Sequence, residues 1–545
     1  MKMESLNCIK NYSKKLFISD VMAGLIVAIV ALPLSIAFGI ASGVNPNQSL
    51  ITAIVAGFIV SAFGGTKFQI AGPTGAFVVL IYSIVQNYGL SGLMTATIMS
   101  GILLVLFGVF KLGNFIKFIS LPLVIGFTAG IAILIFTTQV PDLFGLTFEG
   151  QIPADFLHKW CAYFANLKTT NLYALFISVL TVAIIFICPK FLKKIPSQFV
   201  ALVITTLIVK IFNLPVERIV DRFGEITFSL PELKMPAMNI EAIKMLFIPS
   251  LTIALLGAIE SLLSAVVADS MTNSKHDSNT ELIAQGIANI ATPLVGGIPA
   301  TGAIARTATN IKNGGKTPVA GMLHSVFLVL ILVFFSSLIS YIPMATLGGI
   351  LAVVAYNMSN LKEIKHLLRA PKADIFVLFL TIFLTVSFNL TVSIGIGLIV
   401  SSFIFMNNMY NSSNLKFTSL KNKNKDGKSI IDRIDIPEDT LIYEPQGAFF
   451  FAVSSKFENE FKGNIELYKH AVIRLQHITT IDASGLVILE KIITFFQSKN
   501  IKVSLLQIPK KIYPEIKKFG IIDLVGENHV FDNIEDILNV IKAKK

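Results

Sequence analysis

Glu260 and Arg306 are the acid and the base that stand well inside the hydrophobic segments of this 545-residue chain. An ionisable group at bilayer depth costs a few kcal/mol or more, and is retained where it serves a pathway or a partner. Glu260 lies in the apolar helix that opens at Pro249, and Ser264 follows it by four residues, so the two share a helix face. A carboxylate beside a hydroxyl can hold a cation, or the acid can carry a proton; burial favours the neutral acid, while a nearby Arg306 favours the charged one. A purely structural Glu260–Arg306 pair is the alternative. Arg306 belongs to Gly296-Gly-Ile-Pro-Ala-Thr-Gly-Ala-Ile-Ala-Arg306-Thr, which is too rich in Gly and Thr for a full span. It reads as a broken helix beginning near mid-membrane, a geometry tolerated only where it lines a cavity.

A second such stretch precedes it. Thr66-Lys-Phe-Gln-Ile-Ala-Gly-Pro-Thr74-Gly75-Ala76-Phe77 reads as a short extended piece that turns into a helix at Gly-Pro. A helix N-terminus offers free N–H groups and about half a positive charge, so it attracts anions. Two such ends facing one cavity would hold an oxyanion, with Thr74 and the backbone N–H groups around Gly75, Ala76, Gly302, Ala303 and Ile304 as donors. Arg306, about one turn into the later helix, would strengthen the field. The alternatives are glycines serving close helix packing and an arginine snorkelling toward Lys312. Thr74-Gly-Ala recurs as Thr301-Gly-Ala, each after a Gly-Gly, in segments three and ten. Seven is an odd offset, so two seven-segment halves would be inverted, the arrangement whose interrupted segments mark a transporter's binding site.

The elements that must position these residues follow from composition. With 54% apolar and 14% charged residues the chain is polytopic rather than soluble. Fourteen membrane segments are expected: Val21–Ser42, Ser49–Gly64, 66–86, Leu93–Phe110, Phe115–Phe136, Leu172–Cys188, Phe199–Phe212, Pro249–Ala265, Glu281–Thr292, Thr301–Ile311, Val319–Ile339, Pro343–Met358, Ile375–Asn389 and Val392–Met409. The first imitates a signal peptide but is span-length and reads as an uncleaved helix. The positive-inside rule then places Lys2, Lys10, Lys14, Lys15, Lys117, Lys193, Lys194, Lys312 and Lys362 on the cytoplasmic side, with both termini. The same distribution accounts for the net charge of +12 without nucleic acid. Pro141–Thr170 reads as an outer loop, and a second carries Arg218, Asp221, Arg222, Glu225 and Glu232. The expected domains are a cytoplasmic N-terminal segment 1–19, a transporter domain 20–410, a polar linker 411–429 containing Lys421, Lys423, Lys425 and Lys428, and a small α/β domain 430–545. Cys8, Cys161 and Cys188 give neither a disulfide framework nor a metal site, no cofactor is implied, and no catalytic constellation is present. Gly314-Gly315-Lys316-Thr317 imitates a phosphate loop, but Asn310 stands where that motif needs glycine.

Together these residues resemble the sulfate permease (SulP) anion transporters. The resemblance is carried by Ala31-Leu-Pro-Leu-Ser-Ile-Ala-Phe38, Gln69-Ile-Ala-Gly-Pro-Thr-Gly-Ala-Phe77, Ile259-Glu-Ser-Leu-Leu-Ser-Ala-Val-Val-Ala-Asp269, Glu281-Leu-Ile-Ala-Gln-Gly-Ile-Ala-Asn289 and Arg306-Thr. The C-terminal part resembles a STAS domain, with Ile481-Asp-Ala-Ser-Gly-Leu486 opening a helix that Ser484 is expected to cap; Ala483 holds the place of the phosphorylated serine. The resemblance implies a core and a gate domain, elevator-like motion, a homodimer in the cell (inner) membrane, and an anion site between helices three and ten closed by Phe38. It implies a substrate among sulfate, bicarbonate and a C4-dicarboxylate, with a proton as coupling ion and sodium as its rival. Leu34 stands where many animal and plant members carry glutamine, and Glu260 and Ser264 stand where sodium-coupled bicarbonate members carry aspartate and threonine. A nucleobase symporter of the same fold, and a non-transporting sensor whose STAS domain docks a cytoplasmic protein, are the other classes.

Overall fold

The computed structural model describes residues 3–9, 12–114, 120–150, 153, 155–192, 195–225, 233, 240–388, 390–412, 414–418, 437, 439–450 and 468–542. Lys2, Lys10, Lys117, Lys193, Lys194, Glu232, Asn389 and the linker lysines 421, 423, 425 and 428 lie outside them. The chain divides into two compact units, 1–401 and 402–545.

In the first unit the helices are α1 (Glu4–Ile9), α2 (Lys14–Ala41), α3 (Pro46–Phe63), α4 (Gly75–Val109), α5 (Leu121–Phe144), α6 (Phe156–Ala165), α7 (Leu172–Phe191), α8 (Ser197–Ile211), α9 (Ile219–Phe223), α10 (Ile240–Thr272), α11 (Ser278–Leu294), α12 (Ile304–Lys312), α13 (Val319–Ile339), α14 (Met344–Met358), α15 (Leu361–Leu367), α16 (Lys372–Ser387) and α17 (Leu390–Ser412). Among the described residues, nine helical stretches are long and apolar enough to cross a bilayer. Each segment expected from the sequence overlaps a helix among the described residues, though several boundaries differ. Segments three and four run together as α4, kinked at Gly89, whose φ of 67° suits only glycine at no steric cost. The outer loop at Pro141–Thr170 is more regular than expected. It contains α6, which starts where the Asp155 carboxylate accepts N–H bonds from Leu157 (3.1 Å) and His158 (3.2 Å).

Packing sorts these helices into two bundles. One joins α2, α3, α4, α10, α11, α12 and α13; the other joins α5, α7, α8, α14 and α16. Small residues allow the closest approaches. A Cβ on Gly101 would lie 2.7 Å from the Gly286 carbonyl oxygen, and one on Gly126 would lie 2.6 Å from that of Leu378. Within the first bundle two short strands, β1 (Ala71–Gly72) and β2 (Thr301–Gly302), pair antiparallel, Ala71 with Gly302 and Gly72 with Thr301. Such a pair has a local two-fold, as inverted halves would produce. It also corrects the register of the recurring tripeptide. Thr301 and Gly302 are the counterparts of Ala71 and Gly72, so helix ten begins at Ile304, three residues later than the Thr-Gly-Ala match suggests.

The second unit is an α/β domain. Strands β3 (Asn414–Thr418), β4 (Thr440–Phe449), β5 (His470–Arg474), β7 (Lys502–Leu506) and β8 (Val530–Phe531) lie in that spatial order. β6 (Ile478–Ile481) pairs with the end of β4. All neighbours are parallel except β3, which is antiparallel to β4 and lies inside the stretch expected to be a linker. Helices α18 (Ala483–Ser498), α19 (Tyr513–Lys518), α20 (Ile521–Val525) and α21 (Ile534–Lys542) complete it, and Leu489, Ile492 and Phe496 of α18 bury against Tyr443, Ile473 and Leu505. The cap of α18 is Asp482 rather than Ser484: its Oδ1 accepts the Gly485 N–H at 2.7 Å. A carboxylate one residue before the helix meets that amide directly and leaves Ser484 exposed on the first turn.

Candidate anion site

A cavity of about 1150 Å³ lies between the two bundles. Phe38, Thr74, Gly75, Ala76, Glu260, Ala303, Ile304, Ala305 and Arg306 form its wall on one side. Leu121, Val124, Thr128, Val354, Asn357 and Met358 of α5 and α14, with Pro196, Ser197 and Gln198 at the start of α8, form the other. It extends to Lys312, Asn313, Asn360 and Glu363 at the ends of α12 and the start of α15.

The two short strands bring the N-termini of α4 and α12 to this cavity. At α4, Thr74 occupies the N-cap in an extended conformation, and its side chain makes no capping bond. Its Oγ1 is buried and has no partner. The Gly75 and Ala76 amides have no acceptor among the described residues, and the first backbone bond of the helix is Phe77 N–H to Thr74 O at 3.2 Å. Gly75 is required by close approach. A Cβ there would meet Met358 Sδ at 2.9 Å, Ile135 Cδ1 at 3.0 Å and the Phe38 ring at 3.3 Å.

At α12 the donors shift by two residues from the sequence expectation. The Gly302 N–H is already given to Ser261 Oγ at 2.9 Å, and the Ala303 N–H to the Ile70 carbonyl at 2.9 Å. The amides left without an acceptor among the described residues are those of Ile304, Ala305 and Arg306, since the first helical bond runs from Thr307 N–H to Ala303 O at 2.9 Å. The Arg306 side chain does not snorkel toward Lys312. It is 1% exposed, and its Nη2 donates to Ser35 Oγ at 3.0 Å and to the Pro73 carbonyl at 3.1 Å. Its Nη1 is buried without a partner, packed so tightly on Gly72 that a Cβ there would lie 2.0 Å away.

Glu260 lines the cavity, half-buried, with no ion pair to Arg306. Ser264 does not join it there. Its hydroxyl is buried and donates to Thr307 Oγ1 at 3.1 Å, which in turn accepts the Ile70 N–H at 3.1 Å. Ser264 thus ties α10 to α12 and β1, because residues four apart on a helix share a face but not a depth in the packing. Ser261, one residue after Glu260, does the same for β2 through Thr301 Oγ1 at 3.0 Å. Ser35, Ser261, Gly72 and Ala305 belong to the site and went unassigned in the sequence, where single Ser, Gly and Ala residues in apolar runs carry no distinguishing pattern. Glu260 and Arg306 also prove not to be alone. Asp20 and Glu281 are fully buried too, and each accepts backbone N–H groups, with Glu281 Oε1 left without a partner. Glu281 accepts the Gly65 N–H at 2.9 Å. Asp20 accepts the Lys316 and Thr317 N–H groups at 2.8 and 3.2 Å, so the loop that imitates a phosphate cradle encloses a carboxylate of its own chain.

A helical membrane domain built around two broken helices, followed by a STAS-type α/β domain, is the class this architecture defines. Residues 17–381 match the sulfate permease family and residues 433–537 the STAS domain. The chain is 39% identical over 530 residues to YvdB of Bacillus subtilis, covering 97% of this chain and 98% of that protein, whose name assigns it to sulfate transport. It is 32% identical over 402 residues to the bicarbonate transporter BicA of Picosynechococcus, covering 72% and 70%. The solved transmembrane domain of a cyanobacterial BicA superposes with a TM-score of 0.63 at 29% identity, over 72% of this chain and 98% of that one. The murine solute carrier 26 member A9 anion transporter, solved in an inward-facing state, shares the fold with a TM-score of 0.86 at 18% identity, over 99% and 94%. The chain belongs to the sulfate permease family and is a multi-pass membrane protein.

Proposed function

We propose that this chain is a secondary active transporter of small oxyanions, sulfate before bicarbonate or a C4-dicarboxylate. One observation carries the reading: the N-termini of α4 and α12, with five amides that have no acceptor among the described residues, meet at one cavity lined by Thr74 and Arg306, whose buried Oγ1 and Nη1 are themselves unpartnered. A buried donor without an acceptor costs about 1–3 kcal/mol, more for a charged one, and a bound oxyanion removes that cost at several donors together. YvdB and BicA bear names for inorganic oxyanions, which supports the same substrate class.

The coupling ion is a proton carried by Glu260. The carboxylate borders the anion site without a cation partner, so a bare charge there would repel the substrate, and protonation lets the two bind together as symport by linkage. Sodium is disfavoured by the place of Ser264, which is buried between α10 and α12 and does not line the cavity with Glu260. The bundle bearing the donors moves against the other in an elevator-like step. The fourteen segments cross the cell (inner) membrane with both termini cytoplasmic, so the cavity mouth at Lys312 and Glu363 faces inward. The chain acts as a homodimer, and its STAS domain serves folding or docking of a cytoplasmic protein. Counterflow uptake of labelled sulfate, bicarbonate, fumarate and uracil into proteoliposomes tests this. Sulfate counterflow is expected; uracil alone would assign a nucleobase carrier, and none of the four would leave the sensor.

A further inference from the structure

A second cavity, of about 470 Å³, occupies the opposite ends of the same helices. On α2 the large cavity ends at Phe38 and this one begins at Ala41; on α5 the corresponding residues are Thr128 and Leu134, and on α10 Glu260 and Pro249. Along α2 the barrier is one helical turn, about 5 Å. The first half of α4 spans it, from Gly75 in the large cavity to Tyr88 in the small one. Thr137, Thr138, Ser83 and Asn87 give this second cavity a polar lining.

Its cation is Lys159 of α6. The ammonium rests 5.7 Å from the centroid of the Tyr82 ring on α4, and no carboxylate among the described residues closes an ion pair with it. Asp155 shares the lining and is engaged elsewhere, accepting two amides at the N-terminus of α6 and facing the His158 ring nitrogen at 2.8 Å. Burial lowers the Lys159 pKa, with the Asp155 charge opposing it, while the His158 contact lowers that of Asp155. A half-buried ammonium facing an aromatic ring rather than a carboxylate keeps its field available to a third body.

We infer that this outer cavity is the entry site for the transported anion, with Lys159 recruiting small oxyanions to the far side of the Phe38–Gly75 barrier. The inference rests on the transport reading but is testable apart from it. In a full-length chain with Cys8, Cys161 and Cys188 replaced by serine, Ser83→Cys supplies a thiol in the cavity. Its reaction rates with an anionic (sulfonatoethyl) and a cationic (trimethylammonioethyl) methanethiosulfonate are compared in right-side-out vesicles. Lys159→Gln is expected to lower the anion-to-cation rate ratio by about threefold or more at low ionic strength, and less at high salt. Lys159→Arg should restore it, which separates charge from folding. Where sulfate is carried, Lys159→Gln should raise the KM for outside sulfate several-fold and leave the KM for inside sulfate unchanged. A rate ratio indifferent to Lys159→Gln overturns the inference whether or not sulfate moves. A ratio that responds in a protein that carries no anion upholds Lys159 as an anion-recruiting group but removes the transport reading and, with it, the entry role.

Discussion

The two walls of the central cavity differ in what they offer a ligand. The α2–α4–α10–α12 wall presents a guanidinium, a carboxylate, a hydroxyl and five unsatisfied amides; the α5–α14 wall presents Leu121, Val124, Val354 and Met358, with Thr128 and Asn357 its modest polar contribution. The hydroxyl of Thr128 is moreover turned back onto its own helix, bonding the Val124 carbonyl at 3.0 Å. Under the proposed function the α2–α4–α10–α12 wall holds the anion and the α5–α14 wall is the one it slides past. An apolar surface makes few directional bonds that a sliding step would have to break, whereas a shared set of hydrogen bonds would lock the bundles together.

That asymmetry orders the consequences of mutation. Removing the cation should have the largest effect. Arg306→Ala is expected to weaken sulfate binding by ten- to a hundredfold, about 1.5–3 kcal/mol for a hydrogen bond to a charged group, with Arg306→Lys retaining part. An unchanged affinity by calorimetry or uptake in a normally expressed alanine variant would erase the difference between the walls. Glu260→Gln comes next and separates binding from coupling. The amide mimics the protonated acid, so counterflow exchange should persist while accumulation against a gradient is lost. Uptake driven by a sodium gradient at equal pH, and indifferent to an imposed pH difference, would sink the proton.

Gly72→Ala probes the same wall without touching a charge. The added methyl would occupy the place of Arg306 Nη1, so the guanidinium must leave Ser35 and the Pro73 carbonyl. Sulfate affinity is expected to fall several-fold, less than for Arg306→Ala, with expression retained; an affinity equal to wild type would mean the guanidinium position is immaterial. The smallest effect belongs to the facing wall. Thr128→Val should change the equilibrium affinity by less than about twofold, because it removes an intrahelical bond worth about 1 kcal/mol or less to folding and none to the ligand. A tenfold loss there would make both walls part of the site.

Much of this was visible in residue order. The segments announce themselves by length and apolarity, and Thr74, Gly75 and Ala76 sit where Gly-Pro starts a broken helix. Arg306 and Glu260 stand out because charge is costly in hydrocarbon. Helix ten was legible only approximately. The Thr-Gly-Ala echo placed its first turn at Thr301, whereas the antiparallel pairing of Ala71 with Gly302 makes those residues a strand and hands the donor role to Ile304, Ala305 and Arg306. A tripeptide match cannot distinguish strand from cap, since both need a small residue for close approach. In the STAS domain Ser484 yielded the cap to Asp482 for a related reason: either residue type can cap, and only the helix start decides between them.

The sequence by itself determined the family, the membrane character, the two broken helices and the pair of ionisable residues near them, because hydropathy and charge are local properties. Tertiary structure alone decided which donors remain free. Ser261, Ser264 and Thr307 are as polar as Thr74, yet packing between α10, α12 and the short strands engages their hydroxyls and leaves Thr74 Oγ1 and Arg306 Nη1 unpartnered in two residues that line the cavity. A hydrogen-bond donor is a site only when no neighbour has taken it, and neighbours from distant parts of the chain are assigned by the fold.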